Sequence, residues 1–140
     1  MLHDTATIRA NHDRFVARVV QSEVAWALKS SDGFASCPSN NNEDREVLMF
    51  WSDRAYAARV QQTTFPEYDP VEITLFDFLF RWLSGMENDR VLAGTNWTGD
   101  LAGFETEAAD LKDQLLDAMG PERCRQYAER LHQALKRQEG

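Results

Sequence analysis

Apolar positions change their spacing several times along the chain, and each change marks an element. From Ile8, the apolar residues Phe15, Val16, Val19 and Val20 recur at helical steps, which predicts a helix with one buried face. In Val24-Ala25-Trp26-Ala27-Leu28 the large side chains alternate with alanines, the period of a strand. Ser31-Asp32-Gly33 supplies a tight turn, so Phe34 to Cys37 is predicted as the return strand of a hairpin. Pro38 to Glu46 is polar and rich in breakers, hence a surface loop. Val47-Leu48-Met49-Phe50-Trp51 is apolar without interruption, as in a central strand buried on both faces. Ser52 then reads as the N-cap of a helix, with Asp53 in its first turn and Ala55, Tyr56, Ala58 and Val60 along it.

Two prolines make Phe65 to Pro70 a loop, and Val71-Glu72-Ile73 is a short alternating strand. Thr74 and Asp77 resemble a capping box at the start of a helix running from Leu75 to about Met86. Its polar positions, Asp77, Arg81 and Ser84, share a narrow strip. This helix is therefore either sandwiched on two sides or presents an apolar arc to a partner. Val91 to Thr95 reads as the last strand. After Gly99 the chain turns helical, with Phe104, Ala108, Leu111, Leu115 and Met119 on one face. Gly120-Pro121 ends that helix and starts another, which carries Cys124, Tyr127, Ala128, Leu131 and Leu135. The order predicts a single α+β domain with a four- or five-stranded mixed or antiparallel sheet and a C-terminal helical hairpin. Residues 1–119 form the α+β body; 120–140 add a helix packed on it or on a dimer partner.

Composition narrows the function classes. With 140 residues, 43% apolar, the chain is long enough for one real core. A net charge of -8 opposes binding to nucleic acid or to an anionic membrane. No apolar run approaches membrane-span length, and the first residues lack a signal-peptide core. Cys37 and Cys124 lie far apart and read as reduced thiols of a cytoplasmic protein. In that setting the sequon Asn96-Trp97-Thr98 is accidental.

Candidate chemistry is sparse. His3, His12 and His132 have no second ligand at helical spacing, so no metal face is preformed. Cys37 would act as a nucleophile only with a distant histidine folded beside it. Gly94 to Gly99 lacks the ending of a phosphate loop, and Glu43-Asp44 and Glu105/Glu107 read as a solvated loop and a helix's first turn. No catalytic residue, metal or cofactor is assigned. The aromatic residues remain. Trp51 and Trp97 stand at strand ends, where binding sites gather, and with Asp53, Tyr56 and Asn96 they compose a candidate partner or ligand surface. The competing reading places both indoles in the core.

The stretches Phe15 to Leu28, Val47 to Ala57, Val71 to Leu83 and Val91 to Trp97, in this order, resemble the bacterial domain-of-unknown-function family 2750. The likeness covers roughly Arg9 to Met119. It implies an uncharacterised cytoplasmic bacterial protein and carries over no catalytic residue. The layout also resembles SseB-type amino-terminal domains and certain toxin-immunity proteins. The expectation is a non-enzymatic module that binds a protein partner or itself. The alternative is a small-ligand sensor or enzyme with a pocket near Trp51 and Trp97.

Overall fold

A computed structural model describes residues 5–42 and 44–139, so His3 and Glu43 lie outside the described residues. Helix α1 (Thr5–Ser22) buries His12, Phe15, Val19 and Val20 on one face. It ends at Glu23, whose left-handed backbone (φ 62°) and N–H bond to the Val19 carbonyl (2.8 Å) turn the chain into the sheet.

Strand β1 (Val24–Ser30) returns through the predicted turn, but only the short β2 (Gly33–Phe34) pairs with it. The next strand, β3 (Ser36–Pro38), pairs instead with β4 (Glu46–Phe50). The expected return strand from Phe34 to Cys37 is thus split between two sheets at Ala35, which donates to Leu28 while its carbonyl accepts from Met49. Strand β5 (Asp69–Thr74) runs antiparallel to β1 from Val24↔Thr74 to Lys29↔Asp69. It takes in Asp69 and Pro70, expected in the loop; an edge position tolerates a proline, which has no N–H to offer.

The second sheet has the order β3-β4-β6-β7. Here β6 (Leu92–Thr95) lies parallel to β4, and β7 (Phe104–Thr106) is antiparallel to β6. Phe104 had the spacing of a helical residue. It is a strand residue because the outer edge of β6 needs backbone partners, and helix α5 (Ala108–Met119) starts only after an extended Glu107. Trp26 and Trp51 join the two sheets through a reciprocal pair of backbone bonds, both 2.8 Å. The α+β class holds, with three and four strands in two linked sheets.

Helix α2 (Arg54–Thr63) has Asp53, not Ser52, at its N-cap; the Ser52 backbone N–H is held elsewhere, and its hydroxyl donates to Asp53 Oδ1 at 2.6 Å. Thr74 does cap α3 (Leu75–Asp77), accepting from the Asp77 N–H. That helix then widens into a π-helical turn, Phe78–Trp82, before α4 (Leu83–Asp89). The widened turn sits between two layers. Phe78 packs edge-on against Phe15 and Phe50, while Trp82 packs on Phe34. On the outer side, the Arg130 guanidinium covers Phe76 at 4.6 Å and Lys112 covers Phe80 at 5.4 Å. The apolar arc is therefore sandwiched within the chain.

Gly120 (φ 85°) separates α5 from α6 (Pro121–Glu139) as predicted. Tyr127 Oη and Arg123 Nη2 both donate to the Glu23 carboxylate at 2.8 Å, which ties α6 to the end of α1. Among the described residues Leu135, 49% exposed, is the large apolar side chain left at the surface. Among the described residues no helix is long and apolar enough to cross a membrane.

Candidate functional site

The C-terminal ends of the parallel strands β4 and β6 lie side by side, and their exits diverge. The chain leaves β4 into α2 and leaves β6 through Asn96 to Gly103 into β7. A crevice at such a divergence is a recurrent place for ligands, because backbone and side chains from several segments converge there. Here it is a small cleft of about 240 Å³, walled by Asn11 and Arg14 of α1, Tyr56, Arg59 and Thr63 of α2, and the segment from Asn96 to Gly99.

Asn96 organises the floor. Its φ of 52° is left-handed, which a short polar side chain tolerates. Its Oδ1 accepts from the Ser52 N–H at 2.9 Å, and its Nδ2 donates to Ser52 Oγ (3.1 Å) and the Asn11 carbonyl (3.2 Å). One side chain thus fastens α1, the β4 exit and the β6 exit together.

Trp97 is 2% exposed, and its Nε1 donates to the Phe104 carbonyl at 2.8 Å. It borders the cleft as a rigid backing. Trp51 is fully enclosed and donates from Nε1 to the Trp97 carbonyl, so it lies beneath the cleft and does not line it. The Asp53 carboxylate faces Arg18, Oδ2 to Nη1 2.6 Å, outside the cleft. Tyr56 is half-buried, with the guanidinium carbons of Arg18 and Arg59 each 5.9 Å from its ring centre. Tyr56, Asn96 and Trp97 are brought together; Trp51 and Asp53 support them.

Arg14 and Arg59 escaped the sequence reading. Tyr56, Arg59, Val60 and Thr63 do fall at i, i+3, i+4 and i+7, one face of a helix. The opposing wall comes from α1, more than forty positions away, and no local pattern announces it.

The other candidate groups have structural settings. His12 is 1% exposed, stacks on Phe104 with ring centres 4.0 Å apart, and bridges Thr95 Oγ1 (2.8 Å) and Gln114 Oε1 (2.6 Å). With that oxygen as acceptor, Nε2 carries the proton and Nδ1 accepts from the threonine. Burial holds His12 below the usual imidazole range, against the opposing pull of the Gln114 bond. Burial also pushes the Cys37 thiol up, with Glu105 and Glu46 adding to it, a poor setting for a nucleophile. Glu105 lies in β7, where it accepts from Ser39 and from the Asn40 N–H (2.7 Å) and pins the loop after β3. Glu107 pairs with Arg45, which lowers its carboxyl. Among the described residues no three His, Cys, Asp or Glu side chains are grouped to hold a metal ion.

Compared with known proteins, the chain matches one family model, described as "Protein of unknown function (DUF2750)", over residues 12–115. The match runs from His12 into α5, so it spans every described strand and all of the cleft lining except Asn11, and α6 lies beyond it. No curated protein and no solved structure matched.

Proposed function

The chain belongs to the DUF2750 family of proteins of unknown function, and on that premise we propose that it is a binding module that takes a small ligand in the α1–α2 cleft. The observation that carries this reading is the convergence of Tyr56, Asn96 and the backing Trp97 on one concave surface at the ends of two parallel strands. A rigid floor supports recognition: Asn96 has its polar atoms committed to the scaffold, so the walls keep their shape without a ligand. The Leu75–Met86 arc, by contrast, is covered by Arg130 and Lys112 of the same chain and offers a partner little apolar area.

A fragment-library titration followed by amide and indole NMR signals tests the reading. Saturable shifts gathered on Tyr56, Asn96, Trp97 and Gly99 support it. A library that leaves all four unmoved removes it.

A second reading, self-association or protein binding through α6, rests on exposed Leu135 and on the half-buried Leu131 one turn earlier on that helix. Sedimentation of the wild type beside Leu135→Glu measures it: a dimer lost in the variant supports it, and a monomer in both removes it.

A further inference from the structure

From the charges around the cleft, and resting on the ligand-binding reading above, we infer that the ligand is a small organic anion, a carboxylate or phosphate on a compact apolar body, held between Arg14 and Arg59. The chain carries 23 acidic against 15 basic residues, so an acidic surface is the background expectation. The cleft departs from it: its lining includes two arginines and no carboxylate.

Neither arginine forms an ion pair among the described residues, a condition they share with Arg54, Arg90, Arg125, Arg130 and Arg137; what sets Arg14 and Arg59 apart is that both line one cleft. The two conditions meet at Tyr56. Arg18 and Arg59 approach its ring equally closely, yet Arg18 is neutralised by Asp53 and Arg59 is not. Arg14 spends one N–H on Asn11 Oδ1 at 3.2 Å, and a guanidinium has five to offer.

Two like charges lining one small cleft repel each other, and an anion between them turns that repulsion into two charge-assisted contacts. A planar fork matches the paired oxygens of carboxylate and phosphate, which share this recognition chemistry. Tyr56, Val60 and Trp97 border the same space with apolar surface. The cleft is small, below the usual range of drug-sized pockets, so it suits a compact ligand.

Benzoate, phenyl phosphate and neutral benzamide, which share one apolar body, are the probes. Each is titrated into the full chain while the Trp97 indole and Asn96 side-chain amide signals are followed by NMR. The expected result is saturable movement with benzoate or phenyl phosphate, weakening as salt rises. The stronger of the two identifies the oxyanion. In the exposed-site variant Arg14→Gln/Arg59→Gln, with its circular dichroism unchanged, the apparent Kd rises about tenfold or more, since each lost contact is charge-assisted. Arg59→Lys, which keeps charge but loses the fork, falls between.

Benzamide binding as tightly as the anions overturns the inference and leaves the cleft as a ligand site. Movement of neither signal with any probe also overturns it, and the fragment library then decides separately whether the cleft binds anything. Binding that persists unchanged in the double variant overturns it as well.

Discussion

Trp51 donates from its indole nitrogen to the backbone carbonyl of Trp97 at 2.9 Å, and Trp97 in turn donates to the carbonyl of Phe104 at 2.8 Å. This relay runs from the end of β4, across the exit of β6, to the start of β7. It explains why two tryptophans stand at strand ends without being exposed: each indole finds a backbone carbonyl for its N–H, buried at Trp97 and part-buried at Phe104. The relay sets the shape of the cleft from beneath.

Trp51→Phe keeps much of the packing and removes the donor. The Trp97 carbonyl is then left unsatisfied in the core, and a cost of about 1–3 kcal/mol follows. Urea unfolding of the two proteins measures it, with an unchanged midpoint as the contrary result. For the same reason Trp51→Ala and Trp97→Ala are unsuitable as surface variants, since each empties core volume.

Three alanine substitutions at glycines are expected to separate by sign. A Cβ at Gly94 would lie 2.7 Å from Cε2 of Trp97, and one at Gly103 would press on Cδ1 of the same indole. Overpacking at either site lowers stability by about 1–3 kcal/mol. Gly85, exposed in α4, has nothing within 4 Å of an added Cβ, so Gly85→Ala raises stability by about 0.5–1 kcal/mol. Thermal melts of all three check the order.

His12 predicts a pH dependence. Its folded value lies below the unfolded one, so between the two the unfolded chain binds a proton that the folded chain does not. Stability is therefore full above about pH 6.5 and declines as pH falls below it. Glu23 and Glu107, held below their usual carboxyl value of 4.5, stabilise the fold above that pH and lose their contribution only as pH falls below it, outside the His12 interval. His12→Gln should be less stable at neutral pH and should lose the slope between about pH 6.5 and 5. A wild-type midpoint flat across that interval would count against this assignment.

Glu23 holds α6 through Tyr127 and Arg123, and the Tyr127 hydroxyl is the first cause of its lowered carboxyl. Tyr127→Phe/Arg123→Gln is expected to raise amide hydrogen exchange along α6 while leaving α5 protected, because α5 has its own buried face of Leu111, Leu115 and Met119. Equal loss of protection in both helices would show instead that the hairpin unfolds as one unit.

Elements whose signal is local were legible in the residues. The α1 face, the apolar run of β4, the Thr74 cap and the Gly120-Pro121 break each depend on spacing or on a single backbone preference. Where two signals competed, the reading failed. Phe104 kept helical phase with Ala108 and Leu111, but the open edge of β6 claimed it for β7. The stretch from Phe34 to Cys37 was recognised as extended, and its division between two partner strands was not. The π turn at Phe78–Trp82 has no mark in the pattern, because widening the helix rearranges only which of several apolar side chains face each layer.

The candidate site divides in the same way. Tyr56, Asn96 and Trp97 could be named from their places at strand exits, and the helical face from Tyr56 to Thr63 is implicit in the spacing. By itself the sequence determined an α+β chain with a net acidic charge and aromatic residues at strand ends. Only the tertiary structure decided that Trp51 is enclosed, that Asp53 neutralises Arg18, and that Arg14 comes from another helix to stand with Arg59 in one cleft. The physical reason is range: periodicity and caps act within a few residues, whereas burial and charge pairing depend on distances across the folded chain that no local pattern encodes.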